Sequence, residues 1–193
     1  DDIDLTALEG YLALGYFVAP ATPYRGVYKL LPGHWLHAKD GRIETREYWD
    51  VAEFDTDTRS DDEILDEIDE RLRAAVHGRL ESEVPLGAFL SGGVDSGLVV
   101  SYMAEVLGDR LVTASVGFGE RAFDELEAAG ITASHFGARH HPETIAPRLD
   151  EVIDPVVRAL GEPLADASVI PTWYVSRIAR RHVTVALSGD GGD

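Results

Sequence analysis

The stretch Leu90-Ser91-Gly92-Gly93-Val94-Asp95-Ser96 constrains this chain more than any other. An apolar run, residues 84–90, precedes it, and a helical pattern, residues 97–107, follows. A glycine-rich turn between a buried strand and a helix start makes a phosphate cradle. Glycines let the backbone come close to the anion, and free amides at the helix N-terminus point at it. The common P-loop carries a lysine and a Ser or Thr after its last glycine, and neither follows here. Asp95 stands inside the loop instead, where a magnesium-bridged polyphosphate tolerates a carboxylate. The plain alternative, an ordinary glycine-rich turn, suits Gly92-Gly93 alone better than the full serine- and aspartate-bearing stretch.

The same pattern recurs at residues 183–193. A short β-branched run, residues 183–187, leads into Ser188-Gly189-Asp190-Gly191-Gly192-Asp193. In an open α/β sheet, ligands sit outside the carboxyl ends of the strands, so two such turns in one sheet can face one ligand. A flexible glycine-rich tail is the alternative, and the strand-like run before the glycines weakens it.

Between and around these turns the periodicity alternates. Leu5, Leu8 and Leu12 at helical spacing predict a helix over 5–15, capped by Asp4 or Thr6. Asp40-Gly41 between residues 34–38 and 43–49 predicts a β-hairpin. Residues 50–60 are polar and acidic, as in a linker. Ser60 followed by Glu63 is a capping box, opening a helix to about Leu80 with Ile64, Ile68, Leu72 and Val76 on one face. Strands are expected at 84–90, 111–118, 140–145 and 183–187, and helices at 96–107, 123–137, 149–160 and 171–181. Pro155 should kink or split its helix, whereas Pro171 sits near a helix start, where proline is tolerated. Strands alternating with helices give an α/β fold, a parallel sheet with helices on both faces.

Composition narrows the function classes. The length suits a domain of modest size, and 45% hydrophobic residues suffice for a core. No run approaches 18 apolar residues, which argues against a membrane span. The acidic start, Asp1-Asp2-Ile3-Asp4, is unlike a signal peptide, so a cytoplasmic location is expected. Cysteine is absent, which removes disulfides and cysteine-bound metals. Adjacent His140 and His141 would point to opposite sides of a strand, a poor metal site. Acids outnumber bases 35 to 17, for a net charge of −18, so no general field draws nucleic acid. Such acidity fits solubility in a salty cytoplasm, and equally an arginine-rich protein of a high-GC genome.

At its two glycine-rich turns the chain resembles the synthetase half of the glutamine-hydrolysing asparagine synthetases, of the ATP-pyrophosphatase group. The likeness also runs through residues 15–20, 31–34 and 115–118, Asp124-Glu125, residues 135–137 with His140-His141, Glu162-Pro163 and residues 170–172, in the family's order. The resemblance implies an adenine-nucleotide alpha-hydrolase-like fold, truncated at the C-terminus. It implies ATP and Mg²⁺ at the turns: Ser91, Gly92, Gly93, Val94, Asp95 and Ser96 around polyphosphate, and Leu90, Val116, Gly117, Ser188 and Gly189 around the nucleotide. Asp95, Asp190 and Asp193 become the catalytic candidates, with Asp95 and Asp193 holding metal. The implied reaction joins ammonia to aspartate through an acyl-adenylate, releasing AMP and pyrophosphate. The same chemistry on another acid (β-lactam synthetase, lasso-peptide cyclase, polysaccharide amidotransferase) stays open, as does a non-catalytic nucleotide-binding module.

The resemblance also implies an organisation. Residues 1–58 would join a glutaminase domain absent here, and 59–193 would form an incomplete ATP-binding domain, inactive alone. Leu12, Tyr16, Phe17, Trp35 and Trp49 would then form an exposed apolar face toward that partner. A homodimer is left open. Other motifs keep two readings. Asp124-Glu125 suits a helix N-terminus or the active site. Asp166 and Ser168 suit helix caps or ligand contacts. Arg180-Arg181-His182 suits a helix C-terminus or a phosphate. Gly161 stands where the family often has an acid before Glu162-Pro163.

Overall fold

The computed structural model describes residues 2–51, 57–119 and 125–191. They divide into two units, Asp1–Thr58 with Ile153–Ala167, and Arg59–Val152 with Ser168–Asp193.

In the first unit, helix α1 (Leu5–Leu14) starts where the Asp4 carboxylate accepts the N–H groups of Thr6 and Ala7, at 3.0 and 3.1 Å. Of the two predicted caps, Asp4 acts. Strands β1 (His34–Lys39) and β2 (Arg42–Glu47) pair antiparallel. Asp40 and Gly41 both adopt positive φ, 51° and 74°, as a tight hairpin turn between twisted strands requires. The 153–167 segment is fastened to the N-terminal residues by polar contacts. Glu162 pairs with Lys29 at 2.5 Å, Lys29 also donates to the Phe17 carbonyl at 2.7 Å, and Ala165 N–H donates to the Gly15 carbonyl at 2.8 Å. Leu12, Tyr16, Trp35 and Trp49 are exposed as expected, but Phe17 is buried. Its ring stacks on Tyr11 with centroids 5.0 Å apart, which removes it from the surface.

The second unit is built on four parallel strands, β3 (Leu86–Phe89), β4 (Val112–Gly117), β5 (Arg139–Thr144) and β6 (Val185–Leu187), in the order β5-β4-β3-β6. Four helices belong wholly to it: α2 (Asp61–His77), α3 (Val94–Leu107), α4 (Leu126–His135) and α6 (Val169–Ala179). A short 3₁₀ turn, Gly108–Arg110, leads into β4. Successive strand residues serve opposite faces. Ala88 and Leu90 join Val76, Val100, Met103 and Ala129 in the core under α2, α3 and α4. Val112 and Ala114 pack instead with Ile178 and Ala179 of α6, with Phe89 beside them. The sheet is therefore parallel with helices on both faces, as the alternation of strands and helices predicts.

A strand covered on both faces must satisfy its own polar groups. Thr113 and Ser115 of β4 are buried, and Thr113 shares a 2.9 Å hydrogen bond with His140 Nδ1 while Ser115 Oγ donates to the Leu90 carbonyl. Two boundaries differ from expectation. Helix α3 begins at Val94 rather than at Ser96, because Gly93 takes the extended cap conformation and draws Val94 and Asp95 into the first turn. Helix α5 (Leu149–Leu160) runs unbroken through Pro155. The ring removes one N–H, and the remaining ladder tolerates that loss. Among the described residues no helix is long and apolar enough to cross a membrane.

The capping box is present as predicted: Ser60 Oγ accepts the Glu63 N–H and the Glu63 carboxylate accepts the Ser60 N–H. That carboxylate is held below its ordinary pKa mainly by the bond to the Ser60 backbone. Ser60→Ala should lower unfolding stability by about 1 kcal/mol and Ser60→Gly by a few tenths, as read from urea midpoints at constant slope. Unchanged midpoints in both variants would show that the serine oxygen contributes nothing.

Candidate functional site

The strand order reverses at β3. From β3 the chain passes through α3 to β4 and then β5 on one side, whereas β6 lies on the other side. A crevice opens at such a switch point, beyond the carboxyl ends of the strands. A cavity of about 560 Å³ lies there, lined from β3 by Phe89 and Leu90 and from β4 by Ser115, Val116 and Phe118. Ser91, Gly93, Asp95 and Ser96 line it from the first glycine-rich turn, and Ser188, Gly189, Asp190 and Gly191 from the second. The sheet thus brings both turns to one cavity.

The first turn is held by its serines. Ser96 is buried; its Oγ lies 2.8 Å from Ser91 Oγ and accepts the Ser91 N–H at 3.2 Å. Gly93 N–H donates to Ser91 Oγ at 3.1 Å. Leu90 is anchored below by its N–H on the Ala114 carbonyl at 2.9 Å. Gly93 caps α3 without any side-chain acceptor, so the first-turn amides keep the positive end of the helix dipole open. The second turn folds on itself: Ser188 Oγ donates to Asp190 Oδ2 at 2.8 Å and accepts the Asp190 N–H at 3.1 Å.

The two turns touch at Gly189. A Cβ there would stand 2.7 Å from Ser96 N and 2.9 Å from the Asp95 carbonyl carbon. Both neighbours are main chain, so neither can swing aside.

Gly92, Val94 and Gly117 do not line the cavity. Gly117 is buried at the end of β4, and the Val94 side chain is 82% exposed. Gly92 N–H donates to Glu125 Oε2 at 3.0 Å. A carboxylate thus occupies a cradle amide, showing that this N–H is aimed at an anionic oxygen. The sequence offered Glu125 with Asp124 as a pair suited to a helix start or the active site; Asp124, and Gly192 and Asp193 of the second turn, lie outside the described residues. Asp95 is exposed in the first turn of α3 and makes no ion pair among the described residues. The described residues hold no group of three or more His, Asp or Glu side chains placed to hold a metal ion.

The opposite wall was not legible. Pro171, Thr172 and Val175 of α6 line the cavity, and only the order of strands and helices, not a local motif, brings α6 over β3 and β4. Ser168 sits at the cap position of α6 but its side chain makes no cap bond. Glu162 is bonded to Lys29 within the first unit.

The family described as asparagine synthase matches residues 67–193. The chain belongs to the asparagine synthase family. The match takes in every strand and loop of the cavity. Across its whole length the chain is similar to asparagine synthetase [glutamine-hydrolyzing] 1 of Bacillus subtilis, 35% identical, and to putative asparagine synthetase [glutamine-hydrolyzing] 2 of Methanocaldococcus jannaschii, 37% identical. It spans 30% and 38% of the length of these two asparagine synthase relatives. Among solved structures, an NH3-dependent NAD synthetase from Campylobacter jejuni is 17% identical, with a TM-score of 0.38 over 60% of this chain and 48% of that one.

Gly189→Ala should cost about 1–3 kcal/mol, the usual range for forcing atoms into a filled space. Denaturant unfolding measures it, and Gly191→Ala, whose added Cβ would meet nothing within 4 Å, tests the backbone contribution, since Gly191 has a φ of +79°.

Proposed function

We propose that this chain supplies the nucleotide site of an ATP-dependent, amide-forming ligase acting on aspartate. The observation that carries the reading is the meeting of the two glycine-rich turns at one cavity, in a chain of the asparagine synthase family. Nitrogen would come from ammonia, released from glutamine by a further domain.

In this reading a carboxylate oxygen of aspartate attacks the α-phosphorus of ATP. The bond from that phosphorus to the bridging oxygen breaks, pyrophosphate leaves with the electron pair, and an acyl-adenylate remains. Ammonia then attacks the acyl carbon, AMP departs, and a proton is lost from nitrogen. The main-chain amides of Gly92, Gly93 and the first turn of α3 stabilise charge on the departing pyrophosphate. They are fixed before the reaction by the Ser91–Ser96 bonds, so little reorganisation remains to be done. Leu90, Val116 and Gly189 surround adenosine, and the 560 Å³ cavity is the size of a small-molecule site.

Asp95 and Asp193 would hold Mg²⁺, which supplies charge neutralisation between the phosphates. Asp190, steadied by Ser188, orients the nitrogen nucleophile or takes its proton. Glu125 has a separate part. It holds the Gly92 amide before nucleotide arrives, and polyphosphate must displace it.

The complete enzyme should release AMP and pyrophosphate in equal amounts, dependent on aspartate; ADP with phosphate would refute adenylation. Asp95→Asn should reduce turnover about a hundredfold or more, the scale for losing one electrostatic stabiliser of a transition state. It should leave magnesium-free ATP binding unchanged or tighter. Turnover near wild type would reduce Asp95 to a favourable charge at a helix start.

Glu125→Gln should tighten magnesium-free ATP binding about fivefold, because a like charge beside polyphosphate costs on the order of 1 kcal/mol. Calorimetry checks this. Weaker binding would mean that the carboxylate holds the loop in its binding shape.

A further inference from the structure

A second cavity, of about 570 Å³, lies at the other end of the same sheet, where β3 and β4 begin at Leu86 and Val112. From the nucleotide crevice it is separated by the length of β4, roughly 20 Å at about 3.3 Å per residue. Five basic side chains line it: Arg110 from the 3₁₀ turn, Arg139 and His141 from β5, and Arg181 and His182 beyond α6. Among the described residues no carboxylate lines it.

In a chain with about twice as many acids as lysines and arginines, three arginines and two histidines share one hollow. Their partners are few. Arg181 pairs with Glu143 of β5. Arg139 reaches only the Arg110 carbonyl, at 3.4 Å, and neither Arg110 nor Arg139 makes an ion pair among the described residues. His141 and His182 stack face to face, with centroids 3.5 Å apart and planes within 9°. Such stacking brings two imidazolium charges together if both protonate, a cost that a bound anion offsets.

We propose that this cavity is a second anion site, for phosphate or a small phosphate monoester, separate from the nucleotide cradle. Arginine forks match the oxygens of a phosphate in paired hydrogen bonds. The hollow has the size of a small-molecule site. An extended polyanion such as nucleic acid would meet the −18 field of the rest of the chain.

His141 reports on occupancy. Its pKa lies below the ordinary value, first because it is partly buried, then because His182, Arg139 and Arg181 are positive. The groups facing it are these three, Arg110, and Glu143 through Arg181. An anion reverses the repulsion. The pKa of the bound form therefore rises, binding takes up protons, and affinity increases as pH falls through the His141 titration.

The test follows the imidazole resonances of His141 and His182 by NMR while inorganic phosphate is added to the full chain at constant ionic strength. Expected are saturable shifts of both rings, a rise in the His141 pKa, and tighter binding at lower pH. Arg110→Gln and Arg139→Gln, both exposed and so compatible with folding, should each weaken binding about tenfold, which is 1.4 kcal/mol. Arg71→Gln on α2 should leave it unchanged. A parallel titration with a sugar phosphate separates the sources: equal affinity means the phosphate group alone is recognised, and stronger binding means an organic monoester is the ligand. Absence of saturable shifts, shifts reproduced by chloride or acetate, or unchanged affinity in both arginine variants would overturn the proposal. The readout is local to the second cavity, so failure of the ATP reading leaves it standing and its own failure leaves the ATP reading standing.

Discussion

The contact on which the site depends has almost no atoms in it. Gly189 lies against the backbone of Asp95 and Ser96 so closely that a methyl group would stand 2.7 Å from a main-chain nitrogen. This approach is what lets turns from two strands present one continuous surface to a ligand. It requires β3 and β6 to be neighbours, and they are, with Gly87 opposite Ala186 and Ala88 opposite Leu187. It also requires the first turn to be stiff, which the buried Ser96 hydroxyl provides by bonding to Ser91. A phosphate cradle made of main-chain amides is only as well aimed as its backbone is fixed.

Charge in the second unit is divided between the two ends of the sheet. Asp95, Glu125 and Asp190 stand at the carboxyl ends of the strands, and Arg110, Arg139 and Arg181 stand near the amino ends. At the first end, in the proposed reading, amides and a helix dipole would supply the attraction for an anion, and the acids would need a cation between themselves and polyphosphate. At the second, formal positive charge supplies it directly. On the two proposals, one sheet would carry two different solutions to binding an oxyanion.

Much of this was legible because local chemistry and fold agree. Ser60 with Glu63, and Asp40-Gly41, specify a helix start and a hairpin from a few residues each, and the structure forms both. The alternation of strands and helices sufficed for the parallel sheet, and the two glycine-rich turns pointed to the cavity. What was illegible depends on contacts distant in sequence. Nothing near Glu125 says that its carboxylate accepts the Gly92 N–H, 33 residues away. Nothing in Pro171, Thr172 or Val175 separates a core-facing helix from a cavity wall. Phe17 looked like surface because its burial depends on Tyr11 and on the path of the loop between them. Residues 180–182 read as an ordinary basic helix end until β5 placed Arg139 and His141 beside them.

The first unit has an awkward birth. It is assembled from Asp1–Thr58 and Ile153–Ala167, and the Lys29–Glu162 pair joins residues 133 apart. On a ribosome residues 1–58 emerge before residues 153–167, with their clasp still untranslated. Tyr11, Phe17 and the hairpin must wait while the intervening chain is made, exposing apolar surface through that interval. Closing so long a loop from a disordered state is entropically costly, but the cost falls once the intervening residues have condensed into the parallel sheet and shortened the effective span. The path of the chain therefore delays completion of this unit until residues 153–167 have been made.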